Sequence, residues 1–176
     1  WFKYYQVEPK FKYRLMFADT AMKTKEANDY SVLQVWGYTE NKDAYLIDQL
    51  RGKWEAPELK QMTCSFWEKH KNLSSGSLRN LCVEDKASGT GLIQSIKREN
   101  NIPVKAIQRN TDKITRAYDA VPYIASGRVY FLDGASYISD LIPELLTFPK
   151  AKHDDQVDVL NDGISELAKK ASSFFG

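Results

Sequence analysis

Three aspartates, Asp154, Asp155 and Asp158, fall within five residues in KAKHDDQVDVLNDGI, at what reads as the start of a helix. Like charges that close destabilise one another unless something positive sits among them. Other acids mark the ends of strand-like runs. Asp19 closes YRLMFAD, and Glu84, with Asp85 beside it, closes LRNLCVED. If those two strands lie side by side and parallel, their ends share one edge of a sheet and the acids can converge there. Oxygen-only ligands suit Mg2+ or Mn2+. Two such ions about 3.5–4 Å apart can activate a water and stabilise the leaving oxygen of a phosphodiester.

Each acid also has an ordinary role open to it. Asp19 can be a turn residue at a strand end, Asp154 or Asp155 an N-cap, and the VED run a strand passing into solvent. The metal reading draws its weight from the combination. Within the last helix the apolar stripe is Val157, Leu160, Ile164 and Leu167. At about 100° per residue Asp154 and Asp158 lie toward its border, while Asp155 points nearly opposite. Periodicity therefore favours Asp158, although residues as early as Asp154 and Asp155 need not yet be helical.

The elements that must position these acids follow from the hydrophobic pattern. YRLMFADTA, DYSVLQVWGYT and DAYLIDQLRG are strand-like, the last two joined by the turn TENKD, and consecutive strands of this kind predict an antiparallel meander. EAPELKQMTCSFWEKHKN carries Leu59, Met62 and Phe66 at helical spacing after an early Pro57. LRNLCVED is a fourth strand, ASGTGLIQSIKREN a short helix, and PVKAIQ a fifth strand. A helix from about Lys113, a break at Gly127, a short strand over residues 128–132 and two closing helices complete the chain. Meander strands followed by alternating helices and strands predict an α/β fold with a mixed central sheet covered on both sides. Residues 1–12 read as a linker and residues 13–172 as one domain.

Composition narrows the function classes. Apolar residues at 43% and charged residues at 27% belong to a folded protein. No run approaches the roughly 18–20 apolar residues of a membrane span, and the start WFKYYQVEPKFKYR lacks a signal-peptide core. No secretion, a cytoplasmic location and no membrane partner are expected. Cys64 and Cys82 have no CxxC spacing, which argues against structural zinc and a disulfide framework. Lys and Arg against Asp and Glu number 8 and 3 over residues 86–128, but 4 and 8 over residues 129–176. The basic middle can hold a polyanion while the acidic end gathers cations.

The pieces MFADTAMKTKEANDYSVLQVWG, CVEDKASGTGLIQSI, RVYFL and FPKAKHDDQVDVL, in this order, resemble the C-terminal nuclease domain of the large terminase subunit of tailed bacteriophages and prophages. The resemblance covers nearly the whole chain. It implies a ribonuclease-H-like fold and a divalent-metal endonuclease, with Mg2+ or Mn2+, two ions expected, cutting concatemeric double-stranded viral DNA in the cytoplasm of a bacterial host. By position it implies metal-ligating and catalytic roles for Asp19, Glu84, Asp155 and Asp158, with Asp85 the rival of Glu84 and Asp154 a helix cap. His153 is a weaker candidate for proton transfer. The partners implied for a full-length protein are a packaging ATPase domain, the portal and the small terminase subunit. The phosphate-loop pattern GxxxxGK[ST] does not occur, and SGTGL lacks its lysine. The chain is therefore expected to be the nuclease half alone.

For the DNA backbone the basic candidates are Lys23 and Lys25 in the first hairpin loop, Lys86 beside the acids, and Arg109, Lys113 and Arg116 in the basic middle. Contacts of this kind bind without reading sequence and weaken with salt. Two other readings stay open: a Holliday-junction resolvase or transposase type of nuclease on the same sheet, and a non-catalytic docking domain of the packaging machine.

Overall fold

The computed structural model describes residues 1–21, 30–72 and 74–169. Among the described residues seven strands form one sheet: β1 (Lys3–Tyr5), β2 (Tyr13–Asp19), β3 (Ser31–Tyr38), β4 (Ala44–Gly52), β5 (Leu78–Glu84), β6 (Val104–Ile107) and β7 (Val129–Leu132), in the spatial order β1-β7-β4-β3-β2-β5-β6. β2, β3 and β4 are the expected antiparallel meander. β5 runs parallel to β2, and the pairs β5·β6, β4·β7 and β1·β7 are also parallel. The helices are α1 (Ala56–His70), α2 (Ser88–Glu99), α3 (Lys113–Ala125), α4 (Ile138–Thr147) and α5 (Asp155–Ser165).

Alternation along the strands sorts the core into two layers. Leu15 and Phe17 of β2, with Val32, Trp36 and Tyr38 of β3, face α3, α4 and α5 through Ala120, Ile124, Leu141, Leu160 and Ile164. Met16, Ala18, Leu33 and Val35 face the other way, onto Leu59, Phe66 and Trp67 of α1 and Leu92, Ile93 and Ile96 of α2. Both faces are covered, so the central strands are apolar along both sides rather than alternating with polar residues. The stripe of α1 includes the buried Thr63, whose hydroxyl is satisfied by the Leu59 carbonyl at 2.7 Å.

Residues 1–12, read from the sequence as a linker, instead contribute to the sheet and the core. Lys3–Tyr5 pair with β7, the Tyr5 hydroxyl donates to the Leu46 carbonyl at 3.1 Å, and Phe11 is buried against Gly37. A three-residue strand between short turns carries too little alternation to be seen as a pattern, and only its neighbour β7 reveals it.

Helix α5 lies unusually close to the sheet. A Cβ on Gly163 would come within 2.5 Å of the Trp36 indole, and the Tyr38 hydroxyl donates to the Gly163 carbonyl at 2.7 Å. A glycine here removes the side chain that would otherwise hold the helix away from β3. Gly163→Ala should therefore lower stability by about 1–3 kcal/mol through overpacking, measured as a lower urea midpoint. A midpoint equal to that of the parent would show that this approach is not tight.

Candidate active site

Strand parity sends Asp19 and Glu84 to the same side of the sheet as α5. Asp19 follows Leu15 and Phe17 at the two-residue period, and Glu84 follows Cys82, all members of the layer beneath α5. With Ala18 opposite Val83 in the parallel β2·β5 pair, the two acids adjoin at the strand ends. Asp85 points elsewhere and accepts from the Thr90 hydroxyl of α2 at 2.8 Å. The start of α2 presses on this strand end: a Cβ on Gly89 would meet the Glu84 carbonyl oxygen at 2.1 Å.

The third side of the site comes from α5. Asp158 and Asp162, one turn apart, are both buried on the face turned to Asp19 and Glu84. Between the four carboxylates lies Arg109, whose side chain is only 7% exposed. Its Nη1 is 2.8 Å from Glu84, 3.1 Å from Asp19 and 3.9 Å from Asp158, while Nη2 is 2.6 Å from Asp162. Arg109 leaves the sheet at the end of β6, where Ile107 pairs with Glu84, so its backbone starts at the same edge. Lys113 bridges Asp154 at 2.8 Å and Asp158 at 3.0 Å, and Arg116 also binds Asp158. With the guanidinium among them, the acids of the described residues include no group of three that could share one ion as placed.

Burial dominates the electrostatics. It pushes the Asp19 carboxyl up to about 7; Arg109 opposes the rise, and Asp158 and Asp162 add to it. Burial likewise raises Asp162, with Arg109 acting against it. For Arg109 burial alone would lower the pKa, but Asp19 and Asp162 outweigh it and hold the guanidinium above its ordinary value. Lys113 behaves the same way: burial lowers it, and Asp154 and Asp158 more than compensate.

A buried polar chain sets the position of α5. Trp36 Nε1 donates to Gln34 at 2.8 Å, Gln34 to Gln49 at 2.7 Å and Gln49 to Gln156 at 2.6 Å. Gln156 donates in turn to Glu144 of α4, which also accepts the backbone N–H groups of Gln156 at 2.8 Å and Val157 at 3.2 Å. Glu144 therefore caps α5 from another helix. Asp154 occupies the N-cap position without a side-chain cap bond, its carboxylate being taken by Lys113.

Of the residues nominated from the sequence, Asp19, Glu84 and Asp158 come together around Arg109. Asp155 is half-buried at the first position of α5. Arg109, Lys113 and Arg116, nominated for DNA, form ion pairs with the acids, and Lys86 is exposed beside them. Lys23 and Lys25 lie outside the described residues. His153 packs edge-on against Tyr30, with ring centres 5.5 Å apart. Asp162 is a site residue that sequence reasoning missed. Its signal was the four-residue spacing from Asp158, which puts both on one helix face.

A family model described as Terminase RNaseH-like domain matches residues 16–167. The chain belongs to this terminase family. Its fold is similar to solved terminase structures at low identity. The large terminase of a thermophilic bacteriophage, solved in complex with ADP, has a TM-score of 0.68 at 13% identity, covering 97% of this chain and 42% of that one. The chain thus spans less than half of that protein. The large terminase nuclease of another thermophilic phage, with bound magnesium, gives 0.65 at 12% identity, covering 94% and 91%. The human cytomegalovirus terminase nuclease domain, soaked with manganese, gives 0.62 at 14%, covering 93% and 86%. No curated protein matches by sequence. The ribonuclease-H-like fold expected of this terminase domain is the fold observed.

The raised Asp19 carboxyl gives the domain a pH signature. Between its unfolded value near 4 and its folded value of about 7, the unfolded chain binds fewer protons than the folded one. Stability therefore falls as pH rises through that window. In EDTA the parent should lose on the order of 2 kcal/mol between pH 5 and pH 8 that Asp19→Asn does not lose, read from urea midpoints. Parallel profiles would contradict the assignment. Glu144→Gln should cost about 1–3 kcal/mol: its amide oxygen can still accept the backbone N–H groups that begin α5, but its –NH2 then faces the Gln156 side-chain –NH2, which donates to the second carboxylate oxygen of Glu144; the same melts measure it.

Proposed function

We propose that this domain is a divalent-metal-dependent endonuclease of a phage DNA-packaging terminase large subunit, hydrolysing phosphodiesters of concatemeric double-stranded viral DNA. The observation that carries the reading is the convergence of Asp19, Glu84, Asp158 and Asp162 on a single cationic group at the ends of β2 and β5. The donor set is all carboxylate oxygen, the chemistry that Mg2+ and Mn2+ prefer. A cation already stands among these oxygens in the form of the Arg109 guanidinium, so the site is built to surround positive charge. Asp19, Glu84, Asp158 and Asp162 would hold the ions, with a part for Asp155 resting on the family resemblance alone. Bound there, a pair of ions supplies a water of lowered pKa and charge stabilisation for the departing 3′ oxygen.

The chain's own residues set the rest. Two strand ends, locked in parallel register, and one helix, fixed by Gly163 and the glutamine chain, hold the carboxylates on rigid elements. Such positioning keeps the reacting groups aligned without reorganisation. Lys86, exposed beside the acids, offers positive charge to a phosphate backbone, a contact that orients DNA without reading its sequence. Direct hydrolysis by water, with no covalent intermediate, fits a site made of carboxylates. The ATPase domain, portal and small terminase subunit are the partners proposed for a full-length protein.

Plasmid digestion with Mn2+ or Mg2+ tests this. The parent should nick and linearise supercoiled DNA, and Asp19→Asn or Asp158→Asn should lower the rate by about 100-fold or more while the far-UV spectrum stays unchanged. Equal cutting by parent and Asp19→Asn would remove the site and leave the docking-domain reading. A strong preference for four-way junctions over linear duplex would move the assignment to a resolvase type.

A further inference from the structure

Resting on the nuclease reading above, we propose that Arg109, Lys113 and Arg116 exchange partners. They neutralise the carboxylates until divalent ions load and then pass to DNA phosphates, so that ion binding and duplex binding strengthen each other.

When all are ionised, Asp19, Glu84, Asp154, Asp158 and Asp162 carry five negative charges, and Arg109, Lys113 and Arg116 carry three positive ones, a formal balance of −2. One divalent ion makes the cluster neutral with every base in place. A second leaves it at +2, and the bases then have surplus charge with no acid to offset it. Geometry leads to the same point. Both Asp158 oxygens are taken, Oδ1 by Arg116 and Oδ2 by Lys113. Arg109 holds one oxygen each of Asp19 and Glu84, and contacts both oxygens of Asp162. An ion that binds these oxygens must displace the bases from at least some of them.

The three bases lie within eight residues, from the loop after β6 into the second turn of α3, so they can move to one phosphate path together. Arg116 is incompletely satisfied where it sits: its Nε is buried with no hydrogen-bond partner. A guanidinium fork matches phosphate as well as it matches carboxylate. Binding of ions and of DNA must then be reciprocal, each raising the affinity of the other by the same factor.

Two measurements test the exchange. The first is calorimetric titration of Mn2+ into the parent, Lys113→Gln and Arg116→Gln, chosen because these side chains are 30% and 18% exposed and belong to neither core layer. With the competitor gone, each variant should bind Mn2+ about fivefold or more tightly than the parent. The second is fluorescence anisotropy of a labelled duplex at several salt concentrations, in EDTA and in Ca2+. In Ca2+ the parent's slope of log affinity against log salt should steepen by about two to three, roughly 0.9 for each base released to a phosphate. Each variant should recover about one less and bind the duplex more weakly in Ca2+. Tighter ion binding together with weaker duplex binding is the expected signature. Residues with only a structural role would weaken both, and that outcome, or an unchanged slope, overturns the exchange while leaving the nuclease reading intact. A parent that binds no Mn2+ would instead overturn the nuclease reading itself.

Discussion

A cluster of buried carboxylates has to be held together against its own repulsion, and the guanidinium of Arg109 is what holds it. Unit charges about 4 Å apart interact by about 4 kcal/mol at an effective dielectric near 20. Several such repulsions among Asp19, Glu84, Asp158 and Asp162 would rival the roughly 5–15 kcal/mol by which a domain is stable. Arg109 touches all four. Its planar fork suits this position better than an ammonium would, because it reaches acids on three different elements from one side chain.

The scaffold places those acids through features that have no charge of their own. Parity along β2 and β5 turns Asp19 and Glu84 toward α5, and the parallel pairing of these strands brings their ends level. The absence of a side chain at Gly163 lets α5 settle onto Trp36, and a chain of glutamines from β3 and β4 fixes it there. Glu144 closes the arrangement by capping α5 from α4, which frees the Asp154 carboxylate for Lys113. Hydrophobic packing alone would tolerate small slips of α5 along the sheet. Directional hydrogen bonds narrow that freedom, since each displaced partner would be left buried and unpaired.

The basic residues carry a different lesson. A count along the chain finds a positive middle segment, and a polyanion is the natural partner for it. In the fold three of those charges turn inward to the acids, and Lys86 remains at the exposed rim. Net charge by segment therefore described the balance within the site as much as the attraction of the surface.

Much of this protein was legible from its residues. Apolar runs marked β2, β3, β4 and β5, helical spacing marked α1 and α5, and strand-ending acids marked where chemistry would gather, because these signals lie within one element. The acids' companions were not. Glu84 could not be separated from Asp85 until the face carrying α5 was known, since parity assigns sides only relative to a packed neighbour. Asp162 passed unnoticed beside the denser Asp154–Asp155–Asp158 group, and Arg109 was nominated for the DNA backbone, with nothing in the sequence to pair it with the acids. From the residues alone every α-helix and every strand but β1 could be read, along with those that end in carboxylates. The tertiary structure alone decided which side chains meet, because that depends on strand order, on the depth at which α5 packs and on a cation arriving from a loop 90 residues away from Asp19.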